Sequence, residues 1–158
     1  MEKYIVNIFK EIRRFRSKKN NQKICTLFKD SKDFTLLDLG AAGEIQPRWQ
    51  KTSKFINYIG VEADKRSSDL LKNSGLCKSY KIIKNIAWDE DKDLTFNLCR
   101  SRGCSSIYEP NIDFLKDFTN PDRFDIVKKE LLKGKALDLE LEGIKIDFKK
   151  LDIQGAEL

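Results

Sequence analysis

LLDLGAAGE, residues 36–44, joins an apolar run to a carboxylate and then to a loop of very small residues. Apolar runs of this kind are typical of buried strands, and a parallel sheet binds its ligands beyond the carboxyl ends of its strands. Asp38 at the strand end can hold a cationic group, while Gly40 and Gly43 let the backbone turn tightly and leave N–H groups directed outward. The stretch therefore predicts a strand that ends in a ligand-binding loop.

Two further apolar runs follow, FINYIGVEAD at residues 55–64 and YKIIKNIAW at residues 80–88. Both are rich in Ile, Val or aromatic residues, which favours strands. The intervening residues, about 46–54 and 65–73, can form short helices. This alternation of strands and helices predicts an α/β domain with a mostly parallel sheet.

The second half of the chain has a weaker pattern. DLTFNLC, residues 93–99, alternates with period two and predicts an accessory, antiparallel strand, whereas residues 109–118 are typical of a helix. Residues 122–132 and 136–143 fit either a helix or a strand. IKIDFKKLDIQG, residues 144–155, predicts a last strand that again ends in a carboxylate and a glycine.

The chain has 158 residues and a formal charge of +6, which suits one folded domain with a local basic segment. The positive charge is concentrated at residues 10–23, which overlap an amphipathic helix predicted over residues 3–16. A phosphate or lipid contact and a solvated helix face are both open here; with only Phe15 available for stacking, we expect no nucleic-acid partner. We divide the chain into a basic N-terminal helix and joint, residues 1–33, and a domain over residues 34–158.

Several classes of protein are disfavoured by composition. No run approaches the roughly 20 apolar residues that span a bilayer, and the first residues lack the pattern of a signal peptide. The four cysteines form no CxxC pair and the chain has no histidine, so we expect free thiols, no metal site and a cytoplasmic location. The missing histidine also removes the usual general base and every Ser/His or Cys/His nucleophile.

The glycine loop differs from the common phosphate-binding loops. A dinucleotide loop needs a third glycine and a P-loop needs Gly-Lys-Ser/Thr, and the acidic Glu44 would repel a phosphate. A ligand with an ammonium group and no phosphate fits better, and S-adenosylmethionine is such a ligand. The alternative is a plain turn that binds nothing.

Glu62 at the end of the second predicted strand strengthens the cofactor interpretation. It follows Gly43 at close to the spacing of about 20 residues at which an acidic residue receives the ribose hydroxyls of an adenosine cofactor. Ala87 and Trp88 end the third predicted strand and could flank an adenine. For Glu62 a surface acid, and for Trp88 a core position, remain the alternatives.

The chain resembles the FkbM-type family of S-adenosylmethionine-dependent methyltransferases over residues 35–158. Five pieces stand in the order of that family: LLDLGAAGE, IGVEAD, NIAW, CSSIYEPN and FKKLDIQGAEL. The first two are shared by class I methyltransferases in general, and the last two are particular to this family. The resemblance implies a Rossmann-like class I methyltransferase sheet, with residues 123–129 as a strand and 136–143 as a short helix.

The resemblance also implies which residues form the site. Asp152 would face the methyl-transfer centre, with Gln154, Gly155 and Glu157 shaping its loop, and Asp152 or Glu157 is the candidate base or acceptor-orienting group. The adjacent serines of CSSIYEPN match a family motif to which the sequence assigns no role. The residues around the cofactor would be, at its methionine end, Asp38, Gly40, Ala41 and Gly43, at the ribose Glu62, and near the adenine Ala87 and Trp88.

A class I methyltransferase sheet has about seven strands, and here the fourth parallel strand ends near Gly155. We therefore expect a C-terminally incomplete domain whose fourth strand forms an exposed apolar edge that invites self-association. We also expect that this chain alone is poorly stable and turns over no substrate.

Three functions stay open at this point. The leading one is O-methylation of a sugar or another small hydroxylated metabolite, with the acceptor class taken from the resemblance. The second is a NAD-binding oxidoreductase, disfavoured by Glu44 and the missing third glycine. The third is a catalytically inactive fragment or a binding module of a two-chain assembly.

Overall fold

The computed structural model describes residues 34–43, 45–69 and 77–157, together with residues 22, 23 and 26. The strands are β1 (Phe34–Leu39), β2 (Ile56–Val61), β3 (Ser79–Ile83), β4 (Ile86–Ala87), β5 (Lys92–Cys99), β6 (Ile126–Lys135) and β7 (Phe148–Leu151). The α-helical turns are α1 (Pro47–Gln50), α2 (Lys65–Ser68), α3 (Ile112–Leu115) and α4 (Leu137–Glu140), and the 3₁₀ turns are η1 (Ser53–Phe55), η2 (Arg102–Cys104) and η3 (Pro121–Phe124).

Three sequence predictions fall wholly or partly outside the described residues. They are the basic N-terminal helix and joint at residues 1–33, with the amphipathic helix over residues 3–16, the acidic Glu44 of the glycine loop, and the second half of the helix at residues 65–73. The first half of that last helix is present as α2, whose N-cap is the Asp64 side chain accepting the N–H of Arg66.

Four strands form a fully parallel sheet in the order β3-β2-β1-β7. The sequence prediction of an α/β domain with a mostly parallel sheet is confirmed at this level. The central strand β1 is buried on both faces: Leu36 is 1 % exposed and Leu37 is 2 % exposed, although successive side chains point to opposite faces. This explains why β1 reads as a continuous apolar run and not as an alternating one.

The two faces of the parallel sheet carry separate cores. On one face Leu36 packs with Ile56 and Tyr58, and on the other Leu37 packs with Ile59 and residues of neighbouring strands. Burial of each such side chain stabilises the fold by about 1.5–3 kcal/mol.

The prediction of one continuous strand at residues 80–88 is wrong. The segment forms two strands: β3 pairs with β2 in the parallel sheet, and β4 pairs with β6 in a second sheet of order β4-β6-β5. The chain leaves the first sheet at Lys84 and Asn85, where no strand is formed. Apolar residues stand on both sides of this break, so the apolar pattern alone cannot reveal a change of pairing partner.

The other predictions for the second half of the chain agree more closely with the structure. The accessory antiparallel strand is confirmed as β5, which pairs antiparallel with β6. Residues 122–132, ambiguous from their pattern, belong largely to β6, and residues 136–143 contain the short helix α4. The helix predicted at residues 109–118 is reduced to the single turn α3, which is capped by the side chain of Asn111.

β7 forms one edge of the parallel sheet, because within the described residues it pairs with β1 alone. Phe148 and Leu151 on this strand are each 42 % exposed. The predicted edge position is found within the described part of the chain, where the strand carries two partly exposed apolar side chains and two lysines. None of the helices in the described part of the chain is both long and apolar enough to cross a bilayer.

Candidate functional site

The order of the parallel sheet reverses between β1 and β7, and sheets of this type bind ligands at such a switch point, beyond the carboxyl ends of the strands. A pocket of about 550 Å³, part of it open to solvent, is lined by residues from this end of the sheet. Of the residues predicted to bind the cofactor or to act in catalysis, four line it, namely Gly40, Glu62, Ala87 and Asp152. Strands far apart in the chain thus bring predicted residues to one pocket.

The other residues predicted for cofactor binding or catalysis are not part of this lining. Ala41 is buried and Gly43 is half-buried in the loop after β1. Trp88 lines a neighbouring pocket. Asp38 pairs with Lys150, and Glu157 bonds to the backbone of the loop after β7, as described below.

The N–H groups of the glycine loop are not directed outward, contrary to the sequence expectation. Gly40 and Ala41 both donate to the carbonyl of Val61, at 3.0 and 3.1 Å, which ties the loop to β2. Ala42 and Gly43 donate to carbonyls within the loop itself. Residues 40–43 therefore lack the cluster of free N–H groups that holds a phosphate.

Asp38 is 4 % exposed and already has a cationic partner from the chain itself. The Nζ atom of Lys150 lies 2.9 Å from Asp38 Oδ1, and the hydroxyl of Tyr58 donates to Oδ2 at 3.0 Å. Lys150 Nζ also donates to the carbonyl of Gly40 at 2.9 Å. The sequence predicted that Asp38 holds a cationic group; the structure supplies one from β7, beneath the glycine loop.

Lys150 is the residue of this region that sequence reasoning missed. Its side chain is 17 % exposed, and its ammonium group joins the end of β1 to β7. The sequence feature that could have indicated Lys150 is its place two residues before Asp152 within FKKLDIQGAEL. A lysine in a basic chain is not distinctive by itself. Its partner Asp38 lies more than a hundred residues earlier, so local sequence could not indicate the pair.

Glu62 is a buried carboxylate at the carboxyl end of β2 and is 7 % exposed. One oxygen, Oε1, accepts the N–H of Asp64 at 2.7 Å. Burial raises the pKa of Glu62 to about 7, an effect that the Asp64 N–H only partly opposes. No cation forms an ion pair with Glu62 among the described residues. Ionisation of Glu62 in the pocket wall therefore costs free energy in the fold.

We expect Glu62→Gln to stabilise the fold above pH 7. Because the pKa of Glu62 rises from 4.5 in the unfolded chain to about 7 in the fold, the free energy of unfolding of the parent decreases as pH rises from 4.5 to 7. A shift of this size corresponds to about 3 kcal/mol. In urea titrations, the gain in free energy of unfolding from Glu62→Gln should therefore be near zero at pH 4.5 and maximal at pH 8. A gain that does not change with pH would show that ionisation of Glu62 is not its cause.

The two serines of CSSIYEPN have structural partners. Ser105 Oγ accepts the N–H of Cys99 at 3.1 Å and donates to Asp64 Oδ2 at 3.2 Å. Arg66 forms an ion pair with the same carboxylate at 2.7 Å and donates to the carbonyl of Cys99 at 2.9 Å. This network fastens the start of residues 105–107 to the end of β2.

The second serine fastens the same segment to the other side of the pocket. Ser106 Oγ donates to the carbonyl of Gln154 at 3.0 Å and accepts the N–H of Tyr108. Asn97 of β5 pairs through its backbone with Ser106. Residues 102–107 therefore form a wall of the pocket that is attached to the loops after both β2 and β7.

A second pocket lies beside the first and has Trp88 in its lining. It is an open depression of about 1000 Å³, a volume that includes solvent outside the protein, and it shares Ala87, Ile153 and Ala156 with the first pocket. The indole Nε1 of Trp88 is buried without a hydrogen-bond partner in the described part of the chain. Lys92 Nζ lies 5.1 Å from the centre of the Trp88 ring, within the range of a cation–π contact.

Asp152 and Glu157, the two candidate catalytic acids, differ in their surroundings. Asp152 is exposed. Its Oδ1 accepts a hydrogen bond from Nε2 of Gln154 at 2.9 Å, and its Oδ2 lies 3.8 Å from Lys150 Nζ. Glu157 accepts the N–H groups of Ile153 and Gly155 through its two oxygens, at 2.8 and 2.9 Å. Burial acts to raise the pKa of Glu157, but these and neighbouring N–H groups outweigh it and lower the pKa below its usual value.

Glu157 is thus bound to the backbone of its own loop, whereas Asp152 lines the pocket. A base works best when its pKa lies near the working pH, and a lowered pKa moves Glu157 away from it. The geometry favours Asp152 for contact with a ligand and Glu157 for shaping the loop.

Comparison with protein-family models, with curated proteins and with solved structures gives no match for this chain. Any functional assignment therefore rests on the residues and geometry of the pocket together with the motif resemblance.

Proposed function

We propose that this chain binds S-adenosylmethionine and is a methyltransferase with a Rossmann-like, class I sheet. The observation that carries the proposal is Glu62. It is buried at the end of β2, lines the pocket at the switch point and has no cationic partner among the described residues, while Oε2 receives no hydrogen bond from them. A pair of ribose hydroxyls would donate to such a carboxylate and offset the cost of its burial.

The loop after β1 supports a cofactor without phosphate. The N–H groups of residues 40–43 are used within the fold, so the loop lacks the donors that a dinucleotide pyrophosphate requires. Glu62 and Asp152 also add negative charge to the pocket lining. This arrangement disfavours the NAD-binding oxidoreductase and favours a ligand with cationic groups.

The residues divide the work of binding in the following way. Glu62 binds the ribose, Ala87 forms an apolar surface for the adenine, and Gly40 lines the pocket at the amino-acid end. Asp38 acts through Lys150, because their ion pair holds the loop from below. The sequence predicted that Asp38 contacts the cofactor directly. The proposal here is that Asp38 acts on the cofactor site only through Lys150.

Asp152 is proposed as the residue that faces the acceptor. S-adenosylmethionine, when bound, supplies a methyl group on a sulfonium for in-line displacement. Asp152 would orient an acceptor hydroxyl and take its proton late in the transfer, while Glu157 holds the loop of Gln154 and Gly155 in place. The chain has no histidine that could do this.

The acceptor is proposed to be a sugar or another small hydroxylated metabolite. The second pocket adjoins the first through Ala87, Ile153 and Ala156, so a molecule held there would reach the proposed transfer centre. Trp88 and Tyr108 provide aromatic surface, and Asp89 and Asp138 provide hydrogen-bond acceptors. The O-methylation class itself comes from the motif resemblance.

The proposal is tested by calorimetric titration of the chain with S-adenosylhomocysteine at pH 8. We expect the parent to bind and Glu62→Gln to bind about 10- to 100-fold more weakly, because a carboxylate that accepts two hydroxyl groups is replaced by an amide that accepts less strongly. Parent affinity should rise as pH increases through about 7, since Glu62 must be ionised.

The matched control is Glu142→Gln, the same substitution at an exposed position that lines neither pocket. It should leave the affinity unchanged. Absence of binding by parent protein that circular dichroism shows to be folded would refute the proposal, and binding of NAD in its place would favour the oxidoreductase.

A second candidate function is a module that assembles with another chain. It is favoured by the β7 edge, where Phe148 and Leu151 are partly exposed on a strand paired on one side within the described residues. Unpaired apolar edges are templates for strand addition. Sedimentation of the chain over a range of concentrations separates this candidate, which requires association, from a monomeric cofactor-binding protein.

A further inference from the structure

We propose that Arg102 binds the carboxylate at the amino-acid end of the cofactor; this inference rests on the proposed function. Arg102 begins η2 and lines the first pocket. Among the described residues of that lining it is the one cationic side chain, facing a pocket that also contains Glu62 and Asp152. An anionic group entering the pocket is therefore attracted towards Arg102 and repelled by both acids.

The hydrogen bonding of Arg102 leaves most of its donors available. Its Nη1 donates to the carbonyl of Arg66 at 3.0 Å, and no carboxylate forms an ion pair with it in the described part of the chain. A guanidinium carries five N–H donors in a fixed fork that matches a carboxylate. Other arginines of the same region are paired with acids, Arg66 with Asp64 and Arg100 with Asp125.

The backbone around Arg102 is held in position. Ser105 Oγ bonds to Asp64 on the β2 side, and Ser106 Oγ bonds to the Gln154 carbonyl on the β7 side. Both anchors lie on loops that line the proposed cofactor pocket. The segment therefore presents Arg102 from a fixed wall, which lowers the ordering cost of binding a ligand.

Lys150 does not offer an alternative cation. Its ammonium group is committed to Asp38 and to the carbonyl of Gly40, beneath the loop, and it is not part of the pocket lining. A zwitterionic amino-acid group needs both acceptors and a cation. Within the described lining, Arg102 is the cation that can meet the carboxylate.

The test compares two ligands that differ in the carboxylate alone. The parent, Arg102→Gln and Arg100→Gln are titrated with S-adenosylmethionine and with decarboxylated S-adenosylmethionine, which keeps the adenosine, the sulfonium and the amine. We expect Arg102→Gln to weaken S-adenosylmethionine about 10- to 100-fold and to leave decarboxylated S-adenosylmethionine unchanged, since a charge-assisted bidentate pair is lost with the first ligand alone.

Arg100→Gln is the matched control, because Arg100 is an exposed arginine two positions away whose partner is Asp125 and which does not line the pocket. It should change neither affinity. Equal weakening of both ligands by Arg102→Gln would overturn the inference in favour of a role for Arg102 in shaping the wall, and no weakening would overturn it outright. If the folded parent binds neither ligand, the proposed function fails and the inference falls with it.

Discussion

Lys150→Met should lower the free energy of unfolding by about 3–5 kcal/mol, because it leaves the carboxylate of Asp38 buried without its cation. Asp38 is 4 % exposed and would retain the hydroxyl of Tyr58 as a single donor. Methionine fills a similar volume, so the loss reports on the charge and not on packing. Urea titration at pH 7, followed by circular dichroism, measures it.

Two further variants separate the ion pair from other effects of Lys150. Lys149→Met, at an exposed neighbouring position of β7, should cost less than about 1 kcal/mol. Adding Asp38→Asn to Lys150→Met removes the unpaired charge and should restore part of the stability. If the double variant were less stable than Lys150→Met by the full cost of Asp38→Asn alone, the ion pair would not be the source of the loss.

Gly40→Ala should destabilise the fold by about 4 kcal/mol or more. Gly40 has a φ of +74°, a conformation that side-chain-bearing residues rarely adopt. A Cβ atom there would lie 1.9 Å from the carbonyl oxygen of Asp152, which is backbone and cannot rotate away. The alanine would therefore push β7 from β1, where Asp152 N–H donates to the carbonyl of Leu39.

Gly103→Ala is the matched control for this loss. Gly103 lines the same pocket, yet a Cβ atom on it would have no heavy atom within 4 Å. Its free energy of unfolding should change by less than about 1 kcal/mol. A Gly40→Ala variant as stable as Gly103→Ala would mean that β7 does not pack against the glycine loop as described.

Both predictions concern the junction of β1 and β7, which is also the proposed cofactor site. Gly40 is needed for the close approach of the two strands, and Lys150 neutralises the acid buried beneath them. A loss of cofactor binding by either variant would therefore reflect the position of the loop. Glu62→Gln differs in kind, because it should weaken binding while it stabilises the fold.

Much of the fold could be predicted because the strands bury both faces. β1 and β2 are continuous apolar runs, and β5 alternates as an accessory strand does. Gly40 and Glu62 could be predicted for the site because they follow such runs, where the carboxyl ends of parallel strands meet. These features depend on residues that are neighbours in the sequence.

The division of residues 80–88 between two sheets could not be predicted in this way. Ile83 pairs with Val61 and Ile86 pairs with Gly134, and both isoleucines are buried. The apolar pattern records that a residue is buried and not which strand it is buried against. Pairing partners are chosen by the register of whole strands.

By itself, the sequence determined where the chain turns at Gly40, that β1 and β2 are strands of one parallel sheet and which acid ends β2. The tertiary structure alone decided that Lys150 neutralises Asp38, that the serines hold a wall of the pocket, and that Arg102 lines the same pocket as Glu62 and Asp152. The physical reason is the sequence separation over which each kind of interaction acts. Propensity and periodicity act over a few residues, whereas ion pairs and pocket walls join segments that only the packing of the sheets brings within a few ångströms.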